Sequence, residues 1–181
     1  MIHNLDTMFD PIRKKPRSKI ARGYRQRTHT DLYQQVVGFT CIKCKQIISS
    51  DPLLSGVNNR NHCPYCLTSK HVDLYQAGDR LNACKSQMQS IGLAWKHSRN
   101  KYGSGLGELM IIHRCDGCGG LSLNRIAADD DPDRILQLFE ATLQMKHDQL
   151  KQLNGSGIHP LLIDHYWELM ACVFGKTESF K

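Results

Sequence analysis

Apolar residues in this chain come as short β-sized runs through the middle and at helical spacing near the end. Val36-Val37-Gly38-Phe39-Thr40 is a β-prone run, and Gln46-Ile47-Ile48 resumes it after a short interruption, so the two predict a hairpin. Ser49 to Asn61 is rich in Ser, Asp, Pro, Gly and Asn and predicts a loop. His71-Val72-Asp73-Leu74-Tyr75 predicts another strand, ended by the turn Ala77-Gly78-Asp79-Arg80. Between Trp95 and Gly107 the chain is basic and glycine-rich with Tyr102 inside it, which suits either a solvated β-hairpin tip or a phosphate-contacting finger.

The period then changes. Asp131-Pro132 has the form of an N-cap followed by proline at the first helical position, and the acids from Asp129 to Asp133 favour the positive end of a helix dipole. Ile135, Leu138, Phe139, Thr142 and Met145 recur at helical spacing, predicting a helix to about Leu153 that Asn154-Gly155-Ser156-Gly157 stops. A second helix is expected from His159 to Phe174, with Leu162, Tyr166, Leu169 and Val173 on one stripe and Trp167 and Met170 on another. The two would form an αα-hairpin. Leu136, Leu143 and Leu150 repeat every seven residues, but two heptads are too few for a coiled coil, so packing of one helix on the other is the expectation. Cys172 falls in that second apolar helix and is expected in its core.

Composition narrows the class. With 181 residues and 40% hydrophobic content the chain suits one globular domain or two small ones, and no apolar run approaches the roughly 20 residues that span a bilayer. Met1 to Asp10 carries two aspartates and no apolar core, so a secretory leader is not expected and a reducing, cytoplasmic setting is. The net charge of +7 is unevenly placed. Residues 1–30 contribute eight Lys/Arg against two Asp, residues 31–126 eleven against six, and residues 127–181 five against nine. A basic arm, a basic cysteine-rich middle and an acidic end are therefore separate regions.

The arm holds Arg13, Lys14, Lys15, Arg17, Lys19, Arg22, Arg25 and Arg27 with no acid from Pro11 to Thr30. Such a segment repels itself and is expected to be disordered alone. Laid along phosphates it would release counterions and bind in a salt-sensitive way, with Tyr24 and His29 able to stack on unpaired bases. A solvated tail, or an import signal around Lys14-Lys15-Pro16-Arg17 in a nucleated cell, would use the same residues.

The strongest chemical signal is a pair of Cys-x-x-Cys turns, Cys41/Cys44 and Cys63/Cys66, with 18 residues between them. That spacing is of the zinc-ribbon kind, in which two tight turns complete a tetrahedral thiolate shell. Cys63-Pro64-Tyr65-Cys66 also spells a glutaredoxin-type active site, but the polar run before it is not the buried strand such a site follows, and Cys41 and Cys44 would be left without a role. A second group is expected around Cys84, Cys115 and Cys118. Its fourth ligand should be a histidine, with His113 the first choice and His97 and His71 the alternatives. His62, one residue before Cys63, is expected as a donor to sulfur or as a surface group.

Together Phe39-Thr40-Cys41, Arg60-Asn61-His62-Cys63-Pro64, His71-Val72-Asp73, Gly78-Asp79-Arg80, Cys84, His113-Arg114-Cys115 with Cys118-Gly119, and Asn124-Arg125 through Ala127-Ala128-Asp129-Asp130 form an ordered series. In that series the chain resembles the RNHCP-domain family of bacterial proteins. It departs from the family's usual glycine and proline around Cys84, having Lys85-Ser86-Gln87-Met88-Gln89-Ser90 there. The resemblance implies a cysteine-rich, zinc-binding domain and supplies no reaction.

The expected architecture is α+β: a basic arm over 1–30, an RNHCP-like zinc-ribbon domain over 31–128 with one or two metal knuckle sites, and an αα-hairpin over 129–181. The expected function is that of a structural-zinc protein binding RNA, ribosomal RNA above all, through the arm. A protein partner would dock on the C-terminal helices, which have little core of their own. Against this stand a zinc-dependent hydrolase at the second site, drawing on His71, Asp73, Asp79, Arg80 and His113, and a DNA-binding or protein-interaction adaptor. No helix is both basic and placed to enter a major groove, which weighs against DNA.

Overall fold

A computed structural model describes residues 38–96 and 107–175. The basic arm from Arg13 to Arg27, and His97, lie outside these described residues. In chain order the elements are strands β1 (Phe39–Thr40) and β2 (Ile47–Ile48), helix α1 (Pro52–Ser55), and strands β3 (Ser69–Lys70), β4 (Gln87–Lys96), β5 (Glu108–Cys115) and β6 (Leu121–Arg125). Helices α2 (Pro132–Leu143) and α3 (His147–Gly155), strand β7 (His159–Pro160), a 3₁₀ turn (Ile163–His165) and helix α4 (Tyr166–Phe174) complete the chain. The architecture is thus mixed helix and strand. No described helix is long and apolar enough to cross a membrane.

β1 and β2 pair antiparallel as a small hairpin, as their apolar runs predict. The main sheet runs β3-β4-β5-β6, all antiparallel, with β7 added to the free half of β4. β3 covers the first residues of β4, through Ser69 opposite Met88, and β7 covers its end, through Ala94 opposite Pro160. Between the two the register slips at Ser90/Gly92, where the backbone bulges. There the Leu93 amide donates to Thr142 Oγ1 of α2 at 2.9 Å, so a helix side chain satisfies an edge group that no strand reaches. Gly92 makes this approach feasible: a Cβ on it would stand 2.5 Å from Met145 Cε and 2.8 Å from Thr142 Oγ1.

Alternation along β4 and β5 divides the core into two layers. Leu93, Trp95, Leu109 and Ile111 face Ile135, Leu138 and Phe139 of α2 and Leu169 of α4. Ala94 and Ile112 pack with Leu153 of α3 and Ile158 behind it. The helical region therefore differs from a free-standing hairpin. The predicted long helix breaks at Gln144 and restarts at His147, and this break lets Met145 and Leu153 reach the second layer while α2 stays on the first. The predicted second helix begins only at Tyr166, because Pro160 is extended against β4 and Leu161 donates its amide to the Leu93 carbonyl at 2.9 Å. Asp131 caps α2 as its sequence predicts, accepting from the amides of Asp133 and Arg134. Cys172 is exposed instead of buried.

The predicted strand His71 to Tyr75 is also absent; the strand is Ser69–Lys70, and the segment after it is a loop. Asp79 organises that loop, its carboxylate accepting the amides of Leu74, Tyr75, Gln76 and Leu81 at 2.8–3.1 Å. Those four donors hold the Asp79 carboxyl well below the usual carboxylate range.

Candidate metal centres

Three turns of the chain repeat one hydrogen-bond pattern. In each, the amide of the first cysteine donates to the carbonyl five residues on, and the amide four residues on donates back to that cysteine's carbonyl. The pairs are Cys41 with Gln46 and Lys45, Cys63 with Thr68 and Leu67, and Cys115 with Gly120 and Gly119, at 2.8–3.1 Å. The fourth-on residue is left-handed each time, with φ 64° at Lys45, 53° at Leu67 and 71° at Gly119. Glycine takes that conformation freely, whereas at Lys45 and Leu67 the surrounding bonds must hold a side-chain-bearing residue there. Such a turn points both cysteines of Cys-x-x-Cys at one spot.

The first two turns face each other. Cys41 Sγ lies 3.5 Å from Cys66 Sγ, and Cys44 Sγ lies 3.5 Å from Cys63 Sγ. All four sulfurs fall within 4.8 Å of one another, and none is disulfide-bonded. Sulfurs arranged tetrahedrally at 2.3 Å from a zinc ion would be about 3.8 Å apart, so the group matches such a shell. Four thiolates leave no position for water or substrate. Cys63, fully buried, is in this group and not in a strand-helix redox turn.

The second group is His71, Cys84, Cys115 and Cys118. Here the structure corrects the first choice of histidine. His113 is absent from the group: the extended backbone of β5 carries it roughly 6.6 Å beyond Cys115. Its Nε2 donates to the Leu67 carbonyl at 2.7 Å, and the Asn124 amide meets its Nδ1 at 3.1 Å. His113 is thus a buried strut between β5 and the second knuckle. His71 occupies the ligand position, with Nδ1 3.3 Å from Cys118 Sγ, while Cys84 Sγ is 3.6 Å from Cys115 Sγ. Backbone bonds from His71 to Ser86 and from Lys85 to His71 bring this histidine beside Cys84, and the Asn82 amide, 2.8 Å from Nε2, fixes its ring.

Proximity of several thiols sets their protonation. Burial drives the Cys66 thiol upward, but the Thr68 hydroxyl and amide, with Cys41 and Cys63 as donors, bring it down to about 7. Cys41 and Cys63 are pushed up, by burial first of all. Ser86 hydroxyl and amide, then His71 and Cys115, lower Cys84 to about 6. Each group therefore has one thiol that ionises early, a starting point for a cation that then displaces the remaining protons. Four-sulfur and three-sulfur, one-nitrogen donor sets suit soft or borderline ions such as zinc.

Behind the first group lies a buried polar cluster. Arg60 Nη1 is 2.7 Å from Asp129 and Nη2 is 3.2 Å from Asp130, while His62 Nε2 bonds both oxygens of Asp130 at 2.9 and 3.0 Å. Arg60 Nε also donates to the His62 carbonyl, and Asp130 accepts the Ala127 amide. His62 is 1% exposed and its Nε2 is engaged by Asp130, so it is not a surface group. The acids Asp129 and Asp130, read from sequence as dipole partners of the helix, serve this cluster instead. Asp73 and Arg80 are 3.7 Å apart, and Asp79 is committed to backbone, so the polar residues considered for hydrolysis do not converge with His113.

The family model of the RNHCP domain matches residues 36–136. No curated protein and no solved structure matches the chain.

Proposed function

Because the chain belongs to the RNHCP-domain family, we propose that both cysteine groups hold zinc structurally and that the protein binds RNA, most of all ribosomal RNA, through its basic arm. The observation that carries the zinc role is the completeness of the donor sets, four cysteines in one group and three cysteines with His71 in the other. A catalytic zinc keeps one position for water, and neither set reserves one. With zinc bound, each knuckle group becomes a zinc-ribbon-like unit: the first ties β1 and β2 to the turn before β3, and the second ties β4 to the end of β5. Metal binding would supply folding energy to strands only two residues long.

The RNA reading draws on the charge distribution. The arm's sequence holds eight cations with no acid from Pro11 to Thr30, and exposed Lys43, Lys45, Lys70, Arg80 and Lys85 add positive charge around the knuckles. In this reading the protein works in the cytoplasm, and the 3₁₀ turn with α4, through Ile163, Trp167 and Phe174, each more than half exposed, offers an apolar stripe for a protein partner in the bound particle.

The test is sedimentation of the native protein across a salt gradient with bound metal measured per chain. Co-sedimentation with ribosomes at low salt, release at high salt with zinc retained, and loss of the association when the eight arm cations are replaced by glutamine are expected. Each phosphate contact on single-stranded RNA should add about −0.7 to the slope of log affinity against log salt. Equal binding to duplex DNA would move the assignment to a DNA-binding adaptor. Free sedimentation with one readily exchanged metal would move it to the hydrolase.

A further inference from the structure

A cavity of about 560 Å³ opens between the β1–β2 hairpin and β3, within the roughly 300–1,000 Å³ range of small-molecule sites. Phe39, Ile42 and Val72 form apolar wall, and Thr40, Ser50 and Asn61 add hydroxyl and amide groups. Lys45, Lys70 and Arg80 also line it, and among the described residues no carboxylate does. Arg60 reaches it too, but its charge is matched by Asp129 and Asp130, and Arg80 is partly matched by Asp73 at 3.7 Å. Lys45, whose Nζ also donates to the Ile42 carbonyl at 2.8 Å, and Lys70 are left facing a concave surface with no acid among its described lining residues.

From this composition we propose that the cavity binds a nucleotide. The lysines and Arg80 would meet the phosphate, and Phe39 and the aliphatic wall would accept the flat face of the base. Its volume leaves room beyond an inorganic anion alone, and aromatic wall beside cations is the chemistry by which unpaired bases and their phosphates are held. The hairpin and β3 that form the cavity are joined by the first cysteine group, so the site is built by the knuckles themselves. The inference deepens the RNA reading and rests on it only for the nucleotide's source, which is either one unpaired residue of an RNA chain or a free 5′-mononucleotide.

The experiment uses the zinc-loaded full chain, isotope-labelled, titrated with inorganic phosphate, each 5′-mononucleotide and a short single-stranded RNA. Lys45→Asn keeps a residue that tolerates the left-handed backbone at φ 64°, and Lys70→Gln removes the second charge; Lys151→Gln is the control, exposed on α3 and outside the cavity. Amide shifts should cluster at residues 39–50 and 68–72, with affinity falling about tenfold for each cavity variant and unchanged in the control. Saturable mononucleotide binding assigns a free nucleotide; cavity-dependent binding of RNA alone assigns an RNA residue. RNA binding that depends on the arm and is indifferent to both cavity variants overturns this proposal and leaves the RNA reading standing. Mononucleotide binding in the cavity with no RNA binding does the reverse, and absence of binding to any probe overturns the cavity site. Zinc content of each variant confirms that it has folded.

Discussion

Arg60 and Asp130 are 70 residues apart in sequence and 3.2 Å apart in the structure, with both side chains wholly withdrawn from water. Together with His62 and Asp129 they fasten the second knuckle to the segment that enters α2. Removing Arg60 leaves the Asp130 carboxylate buried without its cation. Arg60→Met should therefore destabilise the protein by about 3–5 kcal/mol. Urea unfolding at constant zinc measures it; a loss below about 1 kcal/mol would mean that the pair is dispensable.

His71 and His113 can be separated by metal content. His71→Ala should lower bound zinc from about two ions per chain to about one, and His71→Cys should restore it. His113→Gln should keep both ions. The reverse pattern in a metal assay on purified protein would return His113 to the ligand set.

His113 also makes stability depend on pH. Burial, reinforced by the neighbouring His62 and opposed by the bond to the Leu67 carbonyl, lowers it to about 3. An unfolded histidine takes up its proton near 6.5. Between these values the unfolded chain binds a proton that the folded chain refuses, so the contribution is complete above about 6.5 and declines as pH falls towards 3. The decline is about 1.4 kcal/mol per pH unit. Comparing urea midpoints of the wild type and His113→Gln from pH 7 to pH 5 should show the variant's acid slope shallower by that amount, whatever metal loss adds to both.

Gly92→Ala tests the join between α2 and the sheet. Met145 can swing aside from an added methyl, whereas Thr142 is held by bonds to the Leu93 amide and the Leu138 carbonyl. Overpacking there should cost about 1–3 kcal/mol in thermal or urea unfolding and leave zinc content unchanged.

What the sequence disclosed was what is local. Cys-x-x-Cys turns announce themselves because both donors come from one turn, and Asp131-Pro132 announces a helix start because capping involves adjacent residues. His71 was an open alternative because the loop from Val72 to Ala83 separates it from Cys84, and only the Asp79-bonded turn within that loop shows how the ends meet. Of the β4–β5 hairpin the sequence offered a tip between Trp95 and Gly107 but not the two flanking strands, for a different reason. Helices and Ile158 cover both of its faces, so Gly92-Leu93-Ala94-Trp95 and Leu109-Met110-Ile111-Ile112 are continuous apolar runs without the alternation that marks a half-exposed strand. The arrest of α2 at Gln144 followed from tertiary demand, since the helical period continues past it in the sequence.

The two ligand sets follow one another along the chain without interleaving: the ends of the first, Cys41 and Cys66, are separated by 25 positions, and those of the second, His71 and Cys118, by 47. Closing a loop of nearly twice the length costs only about 0.6 kcal/mol more, so thermodynamics barely ranks them. Synthesis does rank them. At about 5–20 residues per second, Cys66 emerges roughly 3–10 s before Cys118. During that interval a nascent chain can hold its first ion with the main sheet still unmade, and β3, leaving the knuckle from Cys63 to Leu67, stands ready as the edge on which β4 and then β5 assemble.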